Sequence, residues 1–248
     1  MFDPGKKCRV LGTEVAVGDL KGAALFVAEK RHELAGRYIC FSNVHTTVMA
    51  FKDDAYRKAL ADAAFVFPDG YPIAREQNRK GFKEAERIAG PDFMKEMFER
   101  SRDGSISHYF YGSTQETLDA LKSNLEKDYP GIDIRGIYSP PFRKLSEDEI
   151  DLDIKKINDS GADLVWIGLG APKQELFMHA VSGRIGALML GVGAGFDFHA
   201  KTIKRAPKAM QKMGLEWLFR LFQDPKRLFK RYLVTNTQFL WYTKVMKR

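Results

Sequence analysis

Leu164-Val165-Trp166-Ile167-Gly168-Leu169-Gly170-Ala171-Pro172-Lys173-Gln174-Glu175 decides the fold of this chain. Leu164–Leu169 is apolar at successive positions, so a strand there is buried on both faces. A glycine turn follows, and Pro172 suits the first position of a helix. The same order recurs on either side. Tyr38–Phe41 reads as a buried strand and Thr46–Ala63 as a helix with apolar residues at helical spacing. Ala64–Phe67 is a strand stopped by Pro68-Asp69-Gly70, and His108–Tyr111 is another, with Ser113 or Thr114 placed to cap a helix over Gln115–Lys127. Ile132–Ile137 ends at Pro140-Pro141, and Ala187–Leu190 is the last strand. A short β signal at Arg9–Val17 and a helix over Leu20–Leu34 precede them all. Apolar strands alternating with amphipathic helices predict an α/β fold, its mainly parallel sheet covered by helices on both faces.

Ligands of such sheets bind beyond the C-terminal strand ends. Four turns there carry unusual residues: Ser42-Asn43-Val44-His45, Pro68-Asp69-Gly70, Gly168–Glu175 and Gly191–Phe198. Free N–H groups at Gly170–Glu175, with Lys173 beside them, suit a nucleotide diphosphate, and Gln174 suits a sugar hydroxyl or a base edge. The turn is equally suited to a plain strand–helix connection with a solvated lysine. Gly191, Gly193 and Gly195 alternate, a spacing that admits a ligand to the backbone and that packing alone also produces. Asp69 fits a P-D-G turn on geometry alone. Its place at a strand end adds the alternative of a general base. Asn43 reads as a helix cap or a site residue, His45 as structural or a site residue, and Arg87 and Asp92 as a surface arginine and a helix start.

Asp151-Leu152-Asp153 has the D-x-D form that many sugar-nucleotide enzymes use for a metal, but it lies in the charged helical stretch SEDEIDLDIKK. A solvated helix face is the preferred reading. His179 and His199 lack partners at zinc-ligand spacing, so neither a metal site nor a cofactor is expected. Two cysteines without C-x-x-C spacing favour a reducing compartment, and MFDPGKKCRV has no apolar signal core. No run approaches the roughly 20 apolar residues needed to cross a bilayer.

Charge is distributed unevenly. Lys201–Arg248 holds 13 bases against Glu216 and Asp224, a net +11, whereas residues 1–200 hold 27 bases against 30 acids, a net −3. An anionic partner is implied. Leu215, Leu218, Phe219 and Phe222 form one apolar stripe, Pro225 interrupts it, and Leu228, Phe229, Tyr232 and Leu233 begin another among Lys226, Arg227, Lys230 and Arg231. Basic, aromatic and amphipathic, the tail suits an anionic lipid surface. The expected organisation is a body of residues 1–200 and a basic helical appendage of residues 201–248.

Taken together, these turns resemble the WecG/TagA/CpsF family of bacterial glycosyltransferases. The matching residues are the Asn43 turn, P-D-G at Asp69, R-x-x-G-x-D at Arg87–Asp92 and G-x-P-K-Q-E at Gly170–Glu175. G-x-G-A-x-F-D-F at Gly191–Phe198, R-A-P at Arg205–Pro207 and GLEWL at Gly214–Leu218 complete them. The resemblance implies a Rossmann-like body with a membrane-targeting C-terminal appendage. It implies metal-independent transfer of a sugar from a UDP-sugar to an undecaprenyl-diphosphate-linked saccharide, for teichoic acid, common antigen, capsule or exopolysaccharide synthesis. Asp69 would be the catalytic base. Asn43, His45, Arg87, Gln174, Lys173, Gly193 and Arg205 would contribute to substrate binding, and Arg220, Arg227 and Arg231 would reach the diphosphate. The implied place is peripheral, on the inner face of the cell membrane. Phe41 replaces a Thr common in the family, and Asn43-Val44-His45 replaces the Asn-Pro-Glu of some members, so the donor sugar is left open, as is homo-oligomerisation.

Two other classes compete. A nucleic-acid-binding protein would use the basic tail, but no helix-turn-helix, RRM or other reading module accompanies it. A nucleotide-dependent dehydrogenase would need a GxGxxG fingerprint with an acidic residue about 20 positions on, which the chain lacks.

Overall fold

A computed structural model describes residues 2–246; Met1, Lys247 and Arg248, the last two belonging to the basic tail, lie outside the described residues. Two short strands come first, β1 (Lys7–Val10) and β2 (Thr13–Ala16), paired as an antiparallel hairpin. The single β signal predicted at Arg9–Val17 is therefore folded on itself. Leu11 and Gly12, both at positive φ, make the bend.

The main sheet contains β3 (Tyr38–Ser42), β4 (Phe65–Pro68), β5 (Ser107–Gly112), β6 (Asp133–Tyr138), β7 (Leu164–Gly168) and β8 (Leu188–Gly191). Their order is β4-β3-β8-β7-β5-β6, and every neighbouring pair is parallel. All six predicted strands are present in it. Alternation along each strand divides the core into two layers. Ile39, Phe41, Leu164 and Trp166 join one layer, under the helices Leu20–Lys30, Gly90–Arg100 and Gln115–Asp128. Tyr38, Cys40, Val165 and Ile167 join the other, under Asp54–Ala61 and Lys173–Ala180. Residues on both faces are excluded from water, which is why these strands read as unbroken apolar runs.

The helix predicted over Thr46–Ala63 is two helices, Val44–Lys52 and Asp54–Ala61. Asp53 divides them. Its backbone is extended, and its carboxylate accepts the Tyr56 N–H at 3.0 Å, capping the second helix. Gln115–Asp128 is capped by Thr114 rather than Ser113.

The basic tail forms the helices Lys208–Lys212, Glu216–Gln223 and Pro225–Leu240, then a π-helical turn, Trp241–Val245. Pro225 divides the two apolar stripes as expected. The long helix lies along Val44–Lys52. Leu228, Thr235 and Phe239, spaced i, i+7 and i+11, are its buried side. Phe239 enters a third apolar cluster with Val10, Val15, Val48 and Ile73, and Tyr242 meets Phe51 with ring centroids 4.7 Å apart.

Candidate active site

The four unusual turns follow β4, β3, β8 and β7, four consecutive strands of the sheet. Because the strands are parallel, all four turns leave from the same edge. They floor a cavity of about 650 Å³, and the tail helices supply its far wall.

Pro68 is the register partner of Ser42, so the two residues that follow, Asp69 and Asn43, emerge side by side. The Asp69 N–H donates to the Ser42 carbonyl at 2.9 Å, holding the turn to its neighbour. Asn43 caps the helix Val44–Lys52: its Oδ1 accepts the N–H groups of His45 and Thr46 at 3.0 and 3.3 Å. That leaves its Nδ2 to reach Asp69 Oδ2 at 3.5 Å. Capping and a place in the site are thus served by one side chain. The other carboxylate oxygen of Asp69 accepts the Gly90 N–H at 3.1 Å. Burial pushes the Asp69 carboxyl above the usual carboxylate range, against opposing pulls from Arg87, the Gly90 N–H and Asn43. A carboxylate so held is a stronger base than a solvated one, yet it remains aimed at the cavity. His45 lines the same wall, its Nδ1 buried and without a hydrogen-bond partner among the described residues. Burial and then the nearby Arg231 hold its pKa below the ordinary value, which keeps the imidazole neutral near pH 7.

Arg87 and Arg205 meet in a closed ion-pair network. Arg205 forks onto both oxygens of Asp92 at 2.6 and 2.7 Å, and its Nε reaches Glu216 at 3.2 Å. Arg87 donates to Asp92 at 2.9 Å and to Glu216 at 3.0 Å. Burial would raise the Asp92 pKa, but the Arg205 fork and the charge of Arg87 hold it below the usual value. Two charges of each sign cancel, and all four side chains are largely covered. Arg87 and Asp92 belong to the body, Arg205 and Glu216 to the tail. The network therefore locks the tail over the cavity, and both arginines line the cavity while already paired.

The other tail arginines differ. Arg220 and Arg231 line the cavity and make no ion pair among the described residues. Arg220 stacks over the Phe198 ring, 5.5 Å from its centroid, and Arg205 lies 5.7 Å from the same ring. Arg227 also faces the cavity but holds Asp224 at 2.5 Å. Guanidinium groups without ion-pair partners among the described residues, lining one cavity with a half-buried carboxylate, suit a diphosphate on one side and proton removal on the other.

Gln174 is almost wholly buried in the cavity floor. Its Nε2 donates to the Gly191 carbonyl at 3.0 Å and to Glu175 at 2.9 Å, while its Oε1 accepts the Gly170 N–H at 3.1 Å. Both amide donors are engaged, so the side chain ties the two glycine-rich turns together. Gly193, at φ +52°, lies beside Gln174 in the cavity floor, whereas a Cβ on Gly191 or Gly195 would crowd the movable ends of the Met178 and Met94 side chains. Lys173 is not brought to the cavity. It opens the helix Lys173–Ala180 with its side chain exposed, and Pro172 is the residue before that helix, not its first.

The aspartates of the D-x-D are engaged elsewhere. Asp151 pairs with Arg184 on the surface, while Asp153 is buried, accepting from the Tyr111 hydroxyl at 2.9 Å and from Lys156 at 3.2 Å. Among the described residues no three His, Cys, Asp or Glu side chains gather as metal ligands would. Sequence reasoning did not find Glu216, Phe198, Tyr71 or Trp217 as cavity residues. The available signal was Glu216, one of two acids in a tail of thirteen bases.

The model of the glycosyl transferase WecG/TagA/CpsF family matches residues 8–248. The N-acetylglucosaminyldiphosphoundecaprenol N-acetyl-beta-D-mannosaminyltransferase of Bacillus spizizenii is 30% identical over 193 residues, 77% of this chain and 73% of that protein. The enzyme of the same name from Bacillus subtilis is 31% identical over 199 residues, 80% of this chain and 75% of that protein.

Proposed function

The chain belongs to the WecG/TagA/CpsF family of glycosyltransferases, and from that premise we propose that its cavity transfers a sugar from a UDP-sugar to a saccharide carried on undecaprenyl diphosphate. The observation that carries the proposal is the presence in one cavity of a half-buried, hydrogen-bonded Asp69 and of Arg220 and Arg231, which make no ion pair among the described residues. Asp69 takes the proton of the acceptor hydroxyl as its oxygen bonds to the anomeric carbon. The bond from that carbon to the UDP oxygen breaks, and UDP leaves as an anion. Arg220, Arg231 and, once released from Asp224, Arg227 meet the diphosphate charge, so no divalent ion is needed. Arg87 and Arg205 act differently: neutralised by Asp92 and Glu216, they hold the wall in place.

The relatives act, by name, on N-acetylglucosaminyl-diphosphoundecaprenol. An acceptor of that kind is the one proposed here, for synthesis of a cell-surface polysaccharide. Such a lipid sits in a membrane, and no helix among the described residues is long and apolar enough to cross one. The tail offers a peripheral alternative. Phe222, Phe229, Leu233 and Trp241 are all more than half exposed, beside the exposed Lys226 and Lys230. Apolar side chains rimmed by lysines suit the cytoplasmic membrane face, where each base near the surface contributes roughly 1 kcal/mol.

Co-sedimentation with anionic vesicles tests the docking half. Wild type should pellet with them, and Lys226→Glu/Lys230→Glu should weaken binding roughly tenfold or more, since two attractions become repulsions, with an unchanged melting temperature. Equal pelleting of both proteins would remove the lysines from the docking surface. Retention on duplex DNA at physiological salt, without vesicle binding, would favour the nucleic-acid reading.

A further inference from the structure

The turn that carries Asp69 is pinched from two sides. On one side Gly70 lies against the Asn43 backbone and side chain: a Cβ on Gly70 would stand 3.3 Å from Asn43 Cβ. On the other, Tyr71 lies against Gly214 of the tail. A Cβ on Gly214 would stand 2.8 Å from Tyr71 Cδ1, 3.0 Å from Cγ and 3.2 Å from Cβ. Cβ is fixed to the Tyr71 backbone and cannot swing aside, and Cγ and Cδ1 move only if the whole ring turns about χ1. The clash would have to be relieved by turning the ring, and at 3.2 Å from Cβ the two backbones would still have to part by a few tenths of an ångström.

Position makes this contact consequential. Tyr71 is two residues beyond Asp69, at the start of the helix Tyr71–Arg79, and is 44% exposed, so no deep core packing holds its ring. Gly214 is two residues before Glu216, which pairs with Arg87 and Arg205, and six before Arg220. The contact thus joins the segment bearing the carboxylate directly to the segment bearing the cavity arginines.

We infer that Tyr71 and Gly214 are a positioning pair for sugar transfer. The bare α-carbon of Gly214 sets how closely the tail seats on the Asp69 turn, and with it the distance from base to arginines. This rests on the proposed roles of Asp69 and the arginines. Gly214 also has φ +72° and ends the helix Lys208–Lys212, its N–H donating to the Gln211 carbonyl at 3.1 Å. A helix-ending glycine needs no tyrosine, so the two explanations separate by experiment.

The test uses the full chain with Gly214→Ala, Gly214→Asn, Tyr71→Ala and the double variant Gly214→Ala/Tyr71→Ala. Sugar transfer to a soluble acceptor analogue gives kcat and the donor KM, and amide hydrogen exchange over residues 216–223 gives the seating of the tail. Gly214→Ala should lower kcat by about 10- to 100-fold, the scale of a misplacement of about 1 Å, with the donor KM unchanged within about twofold. Gly214→Asn should be as impaired, because asparagine tolerates positive φ but still carries a Cβ. Removing the ring should rescue the alanine variant: the double variant should exceed Gly214→Ala by about fivefold or more, a coupling that independent sites would not show. Exchange over 216–223 should rise in Gly214→Ala and return toward wild type in the double variant. A near-normal Gly214→Asn beside an impaired Gly214→Ala would overturn the inference and leave only backbone conformation. A double variant no better than Gly214→Ala would overturn it too. If the transferase reading itself were wrong, wild type would show no transfer, yet the exchange measurements would still decide the Tyr71–Gly214 contact.

Discussion

Asp69→Asn is expected to remove roughly 10²- to 10⁴-fold from kcat, the usual contribution of a positioned general base, and to make the protein more stable at neutral pH. Both effects arise from the same burial. Asparagine fits the turn and can still accept the Gly90 N–H, but it cannot take a proton. The sign of the stability change follows from linkage. Burial raises the folded-state pKa of Asp69 above its unfolded value. Between those two values the native state binds more protons than the unfolded state, so stability falls as pH rises through that window and stays lower above it. At pH 7 the ionised carboxylate is therefore a net cost to folding, and the amide removes it. Thermal melts at pH 7 should show a higher Tm for the variant, with the difference vanishing at pH values below the ordinary carboxylate pKa. The same shift places the acid limb of the wild-type kcat/KM profile above the ordinary carboxylate range. A variant that turns over within about threefold of wild type would return Asp69 to a turn-forming role.

Arg220→Ala and Arg231→Ala should each lower kcat/KM roughly 10- to 100-fold, the scale of one charge-assisted contact to a phosphate. The effect should persist on a soluble acceptor that lacks the prenyl chain, where membrane docking plays no part. Arg227→Ala should cost less, because Asp224 already holds that guanidinium and competes with any phosphate for it. Wild-type rates for Arg220→Ala and Arg231→Ala on the soluble acceptor would mean that the tail only anchors. Steady-state kinetics on both acceptors resolve the two roles.

How much of this was legible depends on the distance over which each feature is determined. Trp166 and Val165 serve opposite core layers, so β7 had to be apolar at successive positions, and local reading found it together with the other five strands. The helix Tyr71–Arg79 has no counterpart in the sequence reading, which ends at the Pro68-Asp69-Gly70 turn, although Pro72 in a first turn is compatible with a helix start. Asp53 was hidden inside an apolar pattern that continues across it. Asp69 and Asn43 were found because each sits in a local turn, and strand register then sets them side by side. Arg87 was found as a residue but not as a member of a network, since its partner Glu216 is 129 residues away and only tertiary docking of the tail unites them. Gln174 was read as a ligand-facing amide. Its donors go instead to Gly191 and Glu175, which no spacing rule reveals. Lys173 looked apt for an anion because the turn beside it is glycine-rich, but the start of its helix directs it to solvent.

Metal-independent, base-assisted transfer from a UDP-sugar to a lipid diphosphate acceptor is the reaction proposed for the cavity that Asp69 and the tail arginines share. Release of UDP by wild type on anionic vesicles, in EDTA, with and without N-acetylglucosaminyl-diphosphoundecaprenol and across a panel of UDP-sugars, measures it most directly. One donor of the panel should support UDP release that requires the acceptor, matches the glycosylated lipid mole for mole, and survives EDTA. Release at the same rate without acceptor, or complete loss in EDTA restored by Mn²⁺ or Mg²⁺, would contradict it.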